Sequence, residues 1–265
     1  MKKLALWFML AVICFAVLSA GCGGGSDSSA PEQAESLNDD TGSTDPNSGG
    51  RGNSDEVIDL SRIENHGWRF FAYYVKDGMT LTGTPRLAFT LSVADGATIT
   101  LRNVIINGQN WGEYNSTNLR CVGDATIILE GNNYVKNFYW SVPAIYVPEG
   151  HTLTIKGTGT LIAEGGEHGA GIGGGNNRPC GNIVIEGGTI DARGNGGAAG
   201  IGGGENSSCG TITIKDTVTK VTATKGNDAP NSIGAGKGGS CGTVTIGLDV
   251  GEIAQSPYTY PPDKQ

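Results

Sequence analysis

Short apolar and polar alternations return along the chain at a nearly constant interval. In the segments Ala97-Thr98-Ile99-Thr100-Leu101, Ala125-Thr126-Ile127-Ile128-Leu129, His151-Thr152-Leu153-Thr154-Ile155, Gly181-Asn182-Ile183-Val184-Ile185, Gly210-Thr211-Ile212-Thr213-Ile214 and Gly242-Thr243-Val244-Thr245-Ile246, every second residue is apolar. Such alternation places Ile99, Ile127, Leu153, Ile183, Ile212 and Val244 on one face of successive strands. Their spacings are 28, 26, 30, 29 and 32 residues. A second column, Leu119, Ile145, Ile172, Ile201 and Ile233, follows 18 to 21 residues later. Between the two lie the alternating pairs Leu161/Ala163, Ile190/Ala192 and Val221/Ala223. Three short strands per period of ~29 residues predict an all-β fold, a single-stranded parallel β-helix (solenoid) of about six regular coils over residues 95–250. The crossover rule makes it right-handed. A leucine-rich repeat has a similar period but needs Leu at several fixed offsets, which this chain lacks.

The outward positions test the register. Three places after each first-column residue stand Arg102, Glu130, Lys156, Glu186, Lys215 and Gly247. Stacked coils lie ~4.8 Å apart, so this register predicts a ladder of alternating charge. Thr98, Thr126, Thr152, Thr211 and Thr243 face outward in the same scheme, with Thr100, Thr154, Thr213 and Thr245 beside them. Such ranks can order water, which makes ice binding a minor functional alternative, although threonine is also a good strand former.

Composition adds an explanation of the corners. Glycine occupies 45 positions, about 17% against a usual ~7%. The runs Ala170-Gly171-Ile172-Gly173-Gly174-Gly175 and Ala199-Gly200-Ile201-Gly202-Gly203-Gly204 recur 29 residues apart. They lack the Gly-Lys-Ser/Thr ending and following helix of a phosphate-binding loop, so they are read as tight coil corners.

Charge divides the chain. Residues 23–65 carry ten acids and two arginines, whereas residues 66–265 carry sixteen acids and fourteen bases. The body is thus nearly neutral, and no concentration of positive charge favours nucleic acid as a partner. Residues 1–22 read as an export signal: Lys2 and Lys3, an apolar run, then Leu18-Ser19-Ala20-Gly21-Cys22. Residues 23–54, rich in Gly, Ser, Asp, Asn and Pro, lack the apolar content to fold and read as a disordered acidic tether. Residues 55–94 are assigned to an N-terminal cap with a first irregular coil, and residues 251–265 to an extended C-terminal cap, because a solenoid must cover its ends.

The Ala20-Gly21-Cys22 segment resembles the lipobox of bacterial lipoproteins, with Ser19 where that family usually has Leu. The resemblance implies acylation of Cys22 as the mature N-terminus. It also implies a membrane partner reached through lipid, and a location in the bacterial cell envelope, at the outer membrane or cell surface. The repeats themselves, in residues 169–175 with 180–185, 198–204 with 209–214, and 241–246, resemble those of bacterial surface proteins with right-handed β-helix, carbohydrate-binding-like domains. The wider architecture is similar to that of pectate-lyase-like β-helices. These resemblances imply a surface location and glycan binding.

Cys180, Cys209 and Cys241 open equivalent Cys-Gly-x-Ile/Val segments and should stack. Neighbours in such a column can form a disulfide, and a column of free thiols fits equally. Cys121 stands apart. No zinc-type spacing is present, and neither a metal nor another cofactor is expected.

A lyase or hydrolase would need clustered carboxylates. The best available group is Glu164, Glu167 or Glu205 with His168 as base, but His168 reads more simply as an exposed turn residue. The aromatic and amide side chains are richer. Trp111, Tyr114, Tyr139 and Trp140 are the candidates for stacking on sugar rings, with Asn110 and Asn115 as hydroxyl partners. The expected function is therefore a non-catalytic surface binding or adhesion module with polysaccharide as ligand. The alternatives are a β-helix polysaccharide lyase or glycoside hydrolase, and a structural module that packs against a surface protein.

Overall fold

A computed structural model describes residues 56–63, 72–86, 90–107 and 119–262. Chain contacts divide the protein into Met1–Ser48 and Gly49–Gln265, and all described residues belong to the second unit. The export signal, Cys22 and most of the tether lie outside the described residues. So do Asn110, Trp111, Tyr114 and Asn115.

The described chain winds into an all-β, right-handed parallel solenoid of roughly 5 coils spaced ~28 residues apart. The first wall stacks Thr80–Gly83, Ala97–Asn107, Ala125–Glu130, Thr152–Gly157, Asn182–Ile185, Ile212–Ile214 and Val244–Ile246. The far end of Ala97–Asn107 then joins the second wall, with Asn132–Lys136, Thr160–Glu164, Thr189–Arg193 and Lys220–Thr224. The third wall runs from Ala72–Val75 and Thr90–Val93 through Leu119–Cys121 and Ile145–Tyr146 to Ile172–Gly173, Ile201–Gly202 and Ile233–Gly234. Inward positions of the three walls form one continuous core. Each fully buried large aliphatic side chain contributes ~1.5–3 kcal/mol relative to exposure.

The second and third columns pair as the sequence predicts. Leu119, Ile145, Ile172, Ile201 and Ile233 stack in order, and so do Leu161, Ile190 and Val221. The first column requires a correction. Leu153 pairs with Ala125, and Ile155 pairs with Ile127. The true stack is Ile99, Ile127, Ile155, Ile185, Ile214 and Ile246. The 26-residue interval thereby disappears, because a coil of constant girth cannot drop two residues there.

That two-residue slip also breaks the expected charge ladder. Arg102 Nε donates to Glu130 Oε2 at 2.6 Å, but Lys156 lies beside Ile128 rather than Glu130. Glu186 and Lys215 form a separate pair one coil apart. Such partly exposed pairs are worth ~0–1 kcal/mol each. The threonine ranks realign in the same way: Thr154, not Thr152, pairs with Thr126, and Val184 interrupts the rank before Thr213 and Thr245.

Glycine is needed at the third-wall corners because backbones there nearly touch. A Cβ on Gly173, whose φ is +136°, would come within 2.0 Å of the Gly202 carbonyl oxygen.

The cysteine column is settled as one bridge and one thiol. Cys209 and Cys241 form a disulfide with a Cα separation of 4.5 Å. Cys180 stacks on Cys209 from the next coil and is free. Burial pushes the thiols of Cys180 and Cys121 up to about 12.

Both ends carry additional elements. Val57–Asp59 extends the first wall in parallel with Thr80–Gly83. The 3-10 helix Leu60–Arg62 then buries Leu60 in the core. Asp59 accepts from the Ser61 hydroxyl and backbone N–H, and those bonds hold its carboxyl below the usual range. At the other end Asp249–Val250 runs antiparallel to Val244–Ile246, and Tyr258–Tyr260 antiparallel to Lys220–Thr224.

Candidate functional site

Four second-wall strands end side by side on Lys136, Glu164, Arg193 and Thr224. Each follows an inward Val or Ala, so the alternation that buries Val135, Ala163, Ala192 and Ala223 turns these four residues outward. Beyond them the chain bends through polar, glycine-rich corners. Strand ends and corners together border a groove of about 840 Å³ that crosses four successive coils.

Charge in the groove is organised around Glu164. Its Oε2 takes Lys136 Nζ at 2.9 Å, and its Oε1 takes Arg193 Nη1 at 3.0 Å. Arg193 also grips Asp191 with both remaining nitrogens, Nε at 3.1 Å and Nη2 at 2.5 Å. The hydrogen bond to Glu164 raises the Lys136 pKa, and the bond to Asp191 raises that of Arg193. Burial, reinforced by the nearby Glu164 carboxylate, raises the Tyr134 phenol. Lys136 also lies 4.7 Å from the centre of the Phe138 ring.

His168 occupies the next corner with a φ of +63°. It is not the exposed turn residue expected from its sequence. Its Nδ1 is buried and lies against Glu205 Oε2 as a charge contact rather than a hydrogen bond of regular geometry. Its Nε2 is 3.8 Å from Glu167 Oε1. Lys237 Nζ approaches the other Glu205 oxygen at 3.7 Å. The ring meets Trp140 edge to face, with centroids 5.9 Å apart. Packing holds the imidazole in place between two carboxylates.

Two aromatic rings stand at this groove with much of their surface open. Trp140 is 70% exposed and Phe138 is 48% exposed. Tyr139, between them, is half-buried, and its backbone N–H donates to Asn137 Oδ1 at 3.0 Å. Asn137 also donates to the Pro143 carbonyl at 3.2 Å, so its buried amide holds the corner. Asn195 and Asn227 line the groove and are exposed. Tyr146 is buried, with Arg178 stacked 3.7 Å from its ring centre.

Sequence reasoning thus found Trp140, Tyr139, Glu164, Glu167, Glu205 and His168, but not their grouping. It missed Phe138, Lys136, Arg193 and Asp191. A usable signal existed: Lys136, Glu164 and Arg193 each directly follow the second inward residue of a second-wall strand.

Chemically, the groove offers flat apolar rings, exposed amides and internally paired charges. Glu164 is held ionised between two cations, and protonating it would break both contacts. That disfavours it as a proton donor. Among the described residues, no three His, Cys, Asp or Glu side chains are placed to hold a metal ion. No protein-family model, curated protein or solved structure matches this chain.

Proposed function

We propose that this protein is a non-catalytic polysaccharide-binding module displayed on a bacterial envelope by acylated Cys22. The observation that carries this reading is the exposed Trp140 and Phe138 pair beside the groove of about 840 Å³. Aromatic faces can cover the C–H faces of sugar rings, and a few placed polar groups then fix orientation. Asn195 and Asn227 supply amides to hydroxyls. Trp111, Tyr114, Asn110 and Asn115 belong to the insertion that precedes Leu119 and remain part of the proposed platform. The Lys-Lys-apolar-Cys22 leader supports lipid anchorage, and the acidic segment after it supports a spacer role.

The test is glycan-array binding of the full-length lipidated protein in detergent, with product analysis on every hit. Trp140→Ala and Phe138→Ala should each weaken binding by about tenfold, ~1.4 kcal/mol, without product. No binding across plant, host and bacterial polysaccharides would reject the reading in favour of a structural, protein-packing role. Cys22→Ala should abolish incorporation of labelled lipid, and a wild type without label would reject the anchor. A catalytic reading has one favourable observation, the placement of His168 between Glu167 and Glu205. Released or unsaturated product would establish it.

A further inference from the structure

We infer that the groove selects uncharged glycans and turns away uronate-bearing ones. This rests on the polysaccharide-binding reading above and specifies its ligand class. Recognition of a sugar carboxylate generally requires a cation with donors to spare, most often the fork of an arginine. Lys136 and Arg193 are the lysine and arginine lining this groove, and both are already committed to carboxylates of the same chain. Arg193 places all three of its guanidinium nitrogens on Asp191 and Glu164. Lys136 closes on the other oxygen of Glu164.

What remains for a ligand is acidic. Glu164, Glu167 and Asp228 line the groove together with the two cations, and Asp191 lies directly behind Arg193. With His168 neutral, carboxylates outnumber the lysine and arginine. An arriving uronate would have to displace an internal carboxylate or sit beside it unpaired, and either outcome opposes binding. A neutral sugar meets no such penalty. Its hydroxyls can accept and donate at the exposed amides of Asn195 and Asn227, while Trp140 and Phe138 meet its apolar face. Selectivity therefore comes from an internal anion that occupies the place of an acidic ligand.

The inference predicts a conversion. Glu164→Gln removes the charge that holds both cations while keeping the side chain's size. Asp191→Asn loosens Arg193 alone. The probes are cello-, xylo- and manno-hexaose against hexagalacturonate and hexamannuronate, titrated calorimetrically into the full-length protein and both variants. The wild type should bind at least one neutral hexamer tenfold or more tighter than either uronate. In Glu164→Gln that ratio should fall at least tenfold, and in Asp191→Asn it should fall by a smaller factor. If one variant fails to fold, the other reads the same ratio. Equal or tighter uronate binding by the wild type overturns the inference but leaves the polysaccharide reading standing. An unchanged ratio in the folded variants also overturns it. Binding of none of the five hexamers defeats both.

Discussion

Gly196 lies against the imidazole of His168: a Cβ on the glycine would come within 2.6 Å of Nδ1. The glycine has a φ of +54°, so substitution there meets both backbone strain and a ring it would have to push aside. Gly196→Ala should cost more than ~1 kcal/mol of stability, read by denaturant unfolding. It should also shift the His168 ring resonances in NMR. Unchanged His168 resonances would mean that the two residues are not in contact.

Ile201 sits in the middle of the third-wall column, fully buried between Ile172 and Ile233. Ile201→Asp should prevent folding, because a lone carboxylate would enter an apolar core. Ile201→Ala should still fold and lose ~2–5 kcal/mol. Thermal denaturation of the two variants side by side checks the column, and an Asp variant as stable as the wild type would refute it.

The cysteines should behave differently under alkylation. Peptide mapping of the oxidised protein should recover a Cys209–Cys241 linked pair. Cys121 and Cys180, with thiols pushed up to about 12 by burial, should resist iodoacetamide at mildly alkaline pH until the protein is denatured. The bridge spans a sequence separation of 32, and Cys241→Ser should cost ~3–4 kcal/mol on the loop-entropy scale. Recovery of a Cys180–Cys209 peptide as the main species would contradict this assignment.

The C-terminal strand should loosen at high pH. Tyr260 donates its phenol to Asp216, and that bond, above all, pushes its pKa from 10.0 to about 12. Folding thus favours the protonated phenol. The stabilisation is complete below the unfolded value, begins to fall as pH passes 10.0, and is gone once pH exceeds about 12. Tyr260→Phe should flatten this part of the stability–pH curve. The measurement is chemical denaturation across the alkaline range, with tyrosine ionisation followed by ultraviolet absorbance.

The fold was largely readable because each strand alternates and each coil repeats. The Ile172, Ile201 and Ile233 column could be placed by counting. What counting could not settle was the pairing of Leu153. Sliding a strand by two residues leaves every side chain on the same face, so Leu153 fits opposite either Ala125 or Ile127 as far as pattern goes. Only the constant girth of the coil decides, and it decides for Ala125. The site was less legible for a related reason. Lys136, Glu164 and Arg193 form a column as regular as the core, but attention went to the more conspicuous aromatic insertion. The burial of His168 depends on Glu205 and Gly196 in the next coil, and no local motif announces that packing.

The direction of the last strands has a consequence for assembly. A stack of parallel coils is an open polymer: its final rung presents the same unpaired edge that accepted it and would template another. Here the first and second walls end on strands running the other way, Asp249–Val250 and Tyr258–Tyr260. The third wall ends on a bridge from Ile253 to Ile233 of the same opposite sense. In polymer terms the tail is a chain terminator. A second molecule offering its first coil would find reversed polarity on all three sides, so the solenoid has a length written into its sequence and does not seed a fibre.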